Sequence, residues 1–194
     1  NPPDGFTDNP FPHYDQLLAD APVCPQPDGS FLISGHADLS VIYRDTTTYI
    51  SDKRAAFAPK FGVGSPLFEH HTTSLVFNDP PLHTRVRRIM TAALTPKALA
   101  RMEPGLIAIV DQLLDAMPRD ADLVEDFAAT IPIQIIGNLL DVPLSERGPL
   151  RDWSLAILGA LEPTLTGAQL ERGHQAVRDF KAFLQDLIAR RKAS

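Results

Sequence analysis

The stretch Asn78-Asp-Pro-Pro-Leu-His-Thr-Arg-Val-Arg-Arg-Ile-Met-Thr-Ala-Ala-Leu94 commits the chain to a helix whose sides differ sharply in character. Asp79 suits the N-cap, and Pro80 and Pro81 suit the first turn, where a missing N–H costs little. At about 100° per residue, Leu82, Val86, Ile89, Met90 and Ala93 share one apolar arc expected to meet the core. His83 lies on the edge of that arc with Arg87 just beyond it, while Arg85 and Arg88 point away with Thr84 and Thr91. Residues four apart share a helix face, so His83 and Arg87 can meet one ligand. A guanidinium at a core boundary requires an anion, and its fork suits a carboxylate. Taken alone, the helix is more simply read as an ordinary arginine–carboxylate pair beside a partly exposed histidine.

The remaining sequence predicts mostly helix with one small strand region. Residues 12–20 carry helical apolar spacing, ended by Pro22, Pro25, Pro27 and Gly29. Asp28-Gly29, between Val23 and Phe31-Leu-Ile, signals a hairpin. A helix is expected from Ala37 to Arg44. Residues 47–77, with Pro59, Gly62, Gly64 and Pro66, read as a long loop holding about one helical turn, and such loops are often functional. Lys97 to Met102 predicts a short helix. Pro104 would open the next, through Met117, with Leu106, Ile109, Val110, Leu113 and Leu114 as its buried stripe. Residues 123–140 predict a helix bent at Pro132, and residues 146–161 and 168–192 complete the set. No repeat, low-complexity tract or interdomain linker interrupts 1–194, which reads as part of one domain.

Composition narrows the function. The chain has 194 residues, enough for a sizeable core, with 44% hydrophobic and 22% charged residues, ordinary values for a soluble fold. A net charge of −6 argues against nucleic acid as the main partner. The single cysteine, Cys24, excludes an internal disulfide framework and suits a reducing cytoplasm. No apolar run of membrane-spanning length and no signal-peptide pattern is present.

Asp79-Pro-Pro-Leu-His-Thr-Arg-Val-Arg88, followed by Leu94-Thr-Pro96, resembles the C-helix segment of soluble bacterial cytochromes P450. Other segments resemble the family in the same order. Phe11 to Val23 is similar to its first helix and entry to the first strand, and Phe31 to Asp45 to its second strand and B helix. Asp126 to Pro143 is similar to the E helix and following turn, and Ile188-Ala-Arg-Arg191 to the close of the G helix. Asn1 to Phe6 resembles the loose leader of the soluble class. The family has Phe-Thr where this chain has Leu94-Thr95, a change that keeps an apolar residue and a cap.

The resemblance implies a mainly α fold with a small N-terminal β hairpin, the A to G helix region of the P450 fold. It implies haem, with His83 and Arg87 binding the propionates. The family's central acid–alcohol helix, Glu-x-x-Arg helix and cysteine-ligand loop have no counterpart here, and Cys24, in Ala21-Pro-Val-Cys-Pro-Gln-Pro27, does not resemble that ligand. The thiolate is therefore expected from a C-terminal half, and no catalytic residue is expected in this segment. The implied whole protein is a monooxygenase that inserts one oxygen atom from O₂ into a small organic molecule.

The family's B–C region lines its distal pocket, which directs attention to Phe57, Phe61, Leu75, Val76 and Phe77, with Leu158 and Leu161 in a roof or lid nearby. Each is also a plausible core residue. Lys60, His70 and His71 would suit a small carboxylic acid substrate. Adjacent histidines rarely make a closed metal site. Arg85, Arg88, Lys97 and Arg101 form a local basic patch where the family receives a ferredoxin or flavin electron donor. A solvated face explains the same charges. From a different class, a P450-derived helical binding module without redox activity fits the same sequence.

Overall fold

The computed structural model describes residues 3–193 and is mainly helical, with one two-stranded antiparallel sheet. Two compact units are distinguishable, one reaching to Ser51 and the other starting at Asp52. Asn1 and Pro2 of the expected leader lie outside the described residues. From Pro3 onward the leader forms turns, the Phe6 N–H donating to the Pro3 carbonyl at 3.1 Å.

The first unit contains α1 (Phe11–Asp20), β1 (Val23–Pro25), β2 (Phe31–Ile33) and α2 (His36–Arg44). The hairpin follows its sequence signal. Val23 pairs with Ile33 and Cys24 with Leu32. The Asp28 carboxylate accepts from the Ser30 N–H and hydroxyl at 2.9 and 2.7 Å, and Gly29 supplies the positive φ of 86° that the turn requires.

The second unit begins with α3 (Arg54–Phe61), α4 (Pro66–Thr73) and a 3₁₀ turn at Leu75–Phe77. The long loop expected over 47–77 is therefore largely helical. Ser65 caps α4 by accepting from the Phe68 N–H at 3.2 Å, so Pro66 sits in the first turn of a helix. Next come α5 (Leu82–Ala93) and α6 (Pro96–Asp115). Thr95 caps α6 through the Ala98 N–H at 3.2 Å. Pro104 lies inside this single helix instead of opening a second one. Leu99 and Met102 before it, and Leu106 after it, face the same crevice, which holds one axis across the proline. The expected α6 stripe is only half-covered; Leu106 and Leu114 are exposed.

The helix expected over 123–140 is two elements. Asp122 accepts from the Val124 and Glu125 N–H groups and starts a π-helical stretch, Leu123–Ala128. After it, α7 (Thr130–Leu139) begins. Pro132 thus falls in a first turn, where its missing N–H removes no intrahelical bond. A 3₁₀ turn (Leu144–Glu146), α8 (Gly148–Gly159) and α9 (Gly167–Ala193) complete the unit.

The core lies where α3, α4, α8 and α9 meet. Leu67 is fully buried there among Phe57, Phe61, Ile157, Ala160, Ala176 and Val177. The chain's one tryptophan, Trp153 on α8, packs at a tilt against Phe180 and Phe183 of α9, ring centroids 6.0 and 5.6 Å apart.

A clasp of arginines fixes the turn after α7. Arg147 is buried, yet its guanidinium meets carbonyls instead of an acid. It donates twice to Val142 O, at 2.9 and 2.7 Å, and to Gln134 O and Oε1, at 3.1 and 2.7 Å. A helix C-terminus favours a cation at this place. Gly137 makes the approach possible, because a Cβ there would lie 2.5 Å from the Arg147 Nε. From α9, Arg191 donates to the Leu140 and Asp141 carbonyls, and Arg190 pairs with Glu146 at 2.9 and 2.7 Å. Gly137→Ala is expected to lower stability by about 1–3 kcal/mol and Arg147→Ala by about 2–4 kcal/mol. Urea midpoints of the single and double variants check this, with the double variant less affected than the sum because both changes act on one contact.

Candidate functional site

Helix α5 gathers the charged residues singled out above. Its start differs from the expected capping: Pro81 occupies the N-cap and helical residues begin at Leu82. The Asp79 carboxylate accepts the Asp52 N–H at 3.1 Å, while the Asp79 carbonyl accepts the His83 N–H at 3.1 Å. The helix buries none of its residues. Ile89 is 68% and Met90 50% exposed, so the apolar arc expected to face the core is open in this chain. The residues share one face as their spacing predicts, but that face meets no core among the described residues.

His83 is half-buried and Arg87 exposed, one turn apart on the edge of that open arc. Among the described residues, neither side chain has a hydrogen bond or ion pair to a protein group. Arginines elsewhere behave otherwise: Arg54, Arg151, Arg178 and Arg190 each hold an acid within 2.9 Å. The ordinary arginine–carboxylate pair that the helix alone favoured is therefore not formed at Arg87. Two donors beside an exposed apolar strip fit a flat apolar group that carries carboxylates on one edge. Arg85 and Arg88 on α5, and Lys97 and Arg101 on α6, are all exposed and likewise without an acid partner among the described residues.

The residues marked for a substrate pocket divide into two groups. Phe57 and Phe61 are buried in the core, 5.3 Å apart, and Phe77 packs edge-on to Phe57 at 5.1 Å. Leu161 also packs against this core. Leu75 is half-buried, while Val76 and Leu158 are 70% and 61% exposed.

Of the three groups expected to meet an acidic substrate, Lys60 and His71 are engaged in the fold, while His70 lines the groove between α4 and α9. Lys60 Nζ donates to the Leu161 and Glu162 carbonyls at 3.0 and 2.7 Å, just past the end of α8. Burial lowers the His70 pKa, and His71, 2% exposed, is pushed down to about 4 by burial and then by neighbouring His70. At neutral pH His71 is an uncharged core residue. No group of three or more metal-ligating side chains occurs among the described residues, and no helix there is long and apolar enough to cross a membrane.

A groove of about 730 Å³ between α4 and α9 was not foreseen. Its α9 wall carries Val177, Phe180, Leu184 and Ile188, a helix-spaced stripe that was visible in the sequence. His174, on the same helix, accepts the Leu67 N–H through Nδ1 at 3.3 Å.

No family model matches the chain. The chain is 25% identical over 195 residues to the biotin biosynthesis cytochrome P450 of Bacillus subtilis (strain 168), covering 96% of this chain and 48% of that protein. It is 29% identical over 199 residues to the vitamin D(3) 25-hydroxylase of Pseudonocardia autotrophica, covering 96% and 45%. Among solved structures, CalO2 superposes with a TM-score of 0.86 at 28% identity, over 98% of this chain and 48% of its own. The chain thus spans about half the length of the curated relatives it matches.

Proposed function

Its homologues being bacterial cytochromes P450, of which it represents the N-terminal half, we propose that this chain is part of a haem-thiolate monooxygenase. The whole enzyme would insert one oxygen atom of O₂ into a small organic substrate and release the other as water, consuming two electrons and two protons. Residues 1–194 would form the first portion of one domain, working in the cytoplasm. The observation that carries this reading is the His83–Arg87 pair on α5, one turn apart beside an open apolar strip and without a protein acid.

In this reading His83 and Arg87 would hold the two propionates of a haem, with no bond-making role of their own. Haem, with a thiolate from the C-terminal half, supplies the oxygen-activating redox chemistry. This chain contributes binding and positioning, so alone it is inactive. Val76 and Leu158 are exposed enough to meet a substrate, with Leu75 beside the former, whereas Phe57, Phe61, Phe77 and Leu161 act from behind by stiffening the wall. Lys60 and His71 no longer support an acidic substrate. Arg85, Arg88, Lys97 and Arg101 offer an acidic ferredoxin or flavoprotein a basic landing site on a chain whose net charge is −6.

The reduced carbon-monoxide difference spectrum of the full-length gene product tests the central reading, because it reports thiolate ligation directly. A thiolate signature is expected, and a protein that binds no haem would overturn it. In that full-length protein, His83→Ala with Arg87→Ala should weaken haem binding by about 10- to 100-fold, measured by haem transfer to an apo-acceptor; undiminished retention refutes the assigned role. Arg88→Glu should slow reduction by an acidic donor and flatten the salt dependence of that rate in stopped-flow measurements. Unchanged kinetics would remove this surface from the proposal.

A further inference from the structure

His71 is enclosed mainly by groups that disfavour a positive charge. Its ring lies 5.6 Å from Phe57 and 5.4 Å from Phe61 of α3, and 6.0 Å from Phe77 of the 3₁₀ turn. Its Nε2 is buried and has no hydrogen-bond partner. On the side of α8, a hydrogen bond with the Ile157 backbone favours the charged ring, and burial outweighs it. On α9, His174 is engaged with the Leu67 N–H, one turn before His71. The charged or chargeable neighbours are His70, 5.2 Å away ring to ring, and Lys60, both of which oppose a proton on His71. No carboxylate is among the groups that act on it.

An unpaired nitrogen in an aromatic cage is tolerable only while the imidazole stays neutral. Protonation would put a cation into apolar surroundings beside two other basic groups. We propose that neutral His71 is an acid-sensitive latch, holding α3 and α4 onto α8 and α9 and releasing them when it takes up a proton.

The sign follows from linkage. The free imidazole titrates near 6.5 and the enclosed one near 4, so the opened segment binds the proton more tightly. Stability of the closed form is complete above 6.5, declines as pH falls toward about 4, and changes no further below that. Within this window the opened population should rise about tenfold per pH unit.

Amide hydrogen exchange of residues 54–73, corrected for intrinsic pH dependence, tests this on the chain itself. Protection should fall with decreasing pH through the window in the unaltered protein and in His70→Gln, and be flat in His71→Phe and His71→Gln. A slope that survives in either folded His71 variant assigns the titration to another group and overturns the latch. Flat protection in the unaltered protein does the same. Proton NMR of the unaltered chain provides a measure independent of variant folding: a His71 ring titrating near pH 6.5 refutes the proposal, and one titrating near 4 supports it.

Discussion

Burial in the second unit centres on the fully covered Leu67, and its neighbours share that constraint. Four helices meet at this side chain, and they meet through aromatic rings: Phe57, Phe61 and Phe77 on one side, Phe180 and Trp153 on the other. Away from it, α5, α6 and α7 expose much of their apolar surface, including Ile89, Ile107 and Ile136. Among the described residues, the second unit therefore has a well-formed core at Leu67 and, beside it, helices whose apolar faces stay open. Relatives about twice as long provide the context for that asymmetry.

Arginine use divides along the same line. Arg147, Arg190 and Arg191 serve the fold, tying α9 and the turn after α7 to carbonyls and to Glu146. The hydrogen bond from Arg190 holds the Glu146 carboxyl below the ordinary carboxylate range. Arg85, Arg87 and Arg88 serve no such purpose among the described residues, although α5 contains no shortage of positive charge to neutralise. Long flexible cations beside an open apolar edge leave their guanidinium groups available to an anion.

Much of this was legible in the sequence because it depends on neighbours along the chain. The Asp28-Gly29 turn, the Thr95 cap, α8 and α9, and the spacing of His83 with Arg87 are all local facts. The misread parts depended on distant groups. Pro59 and Pro66 suggested a loop, but Phe57 and Phe61 find α4 and α8, and the packing holds a helix around them. Pro104 likewise yields to a crevice shared with α7. Asp79 looked like a cap, but its carboxylate serves Asp52, a partner 27 residues away. That His83 and Arg87 share a face was legible because a helix repeats its faces, whereas a role toward a cofactor came only from the resemblance. What covers those faces was not legible, since periodicity names a side and never its occupant. His70-His71 was read from side-chain type alone, and only the aromatic enclosure reveals that one ring is neutral.

Trp153 gives this architecture an optical handle. As the chain's sole indole, seated on the seam between α8 and α9 against Phe180 and Phe183, it makes ultraviolet emission a private signal of that seam. Events that part these two helices will reach the fluorophore directly, whereas rearrangements confined to the open helical faces will leave its colour unmoved.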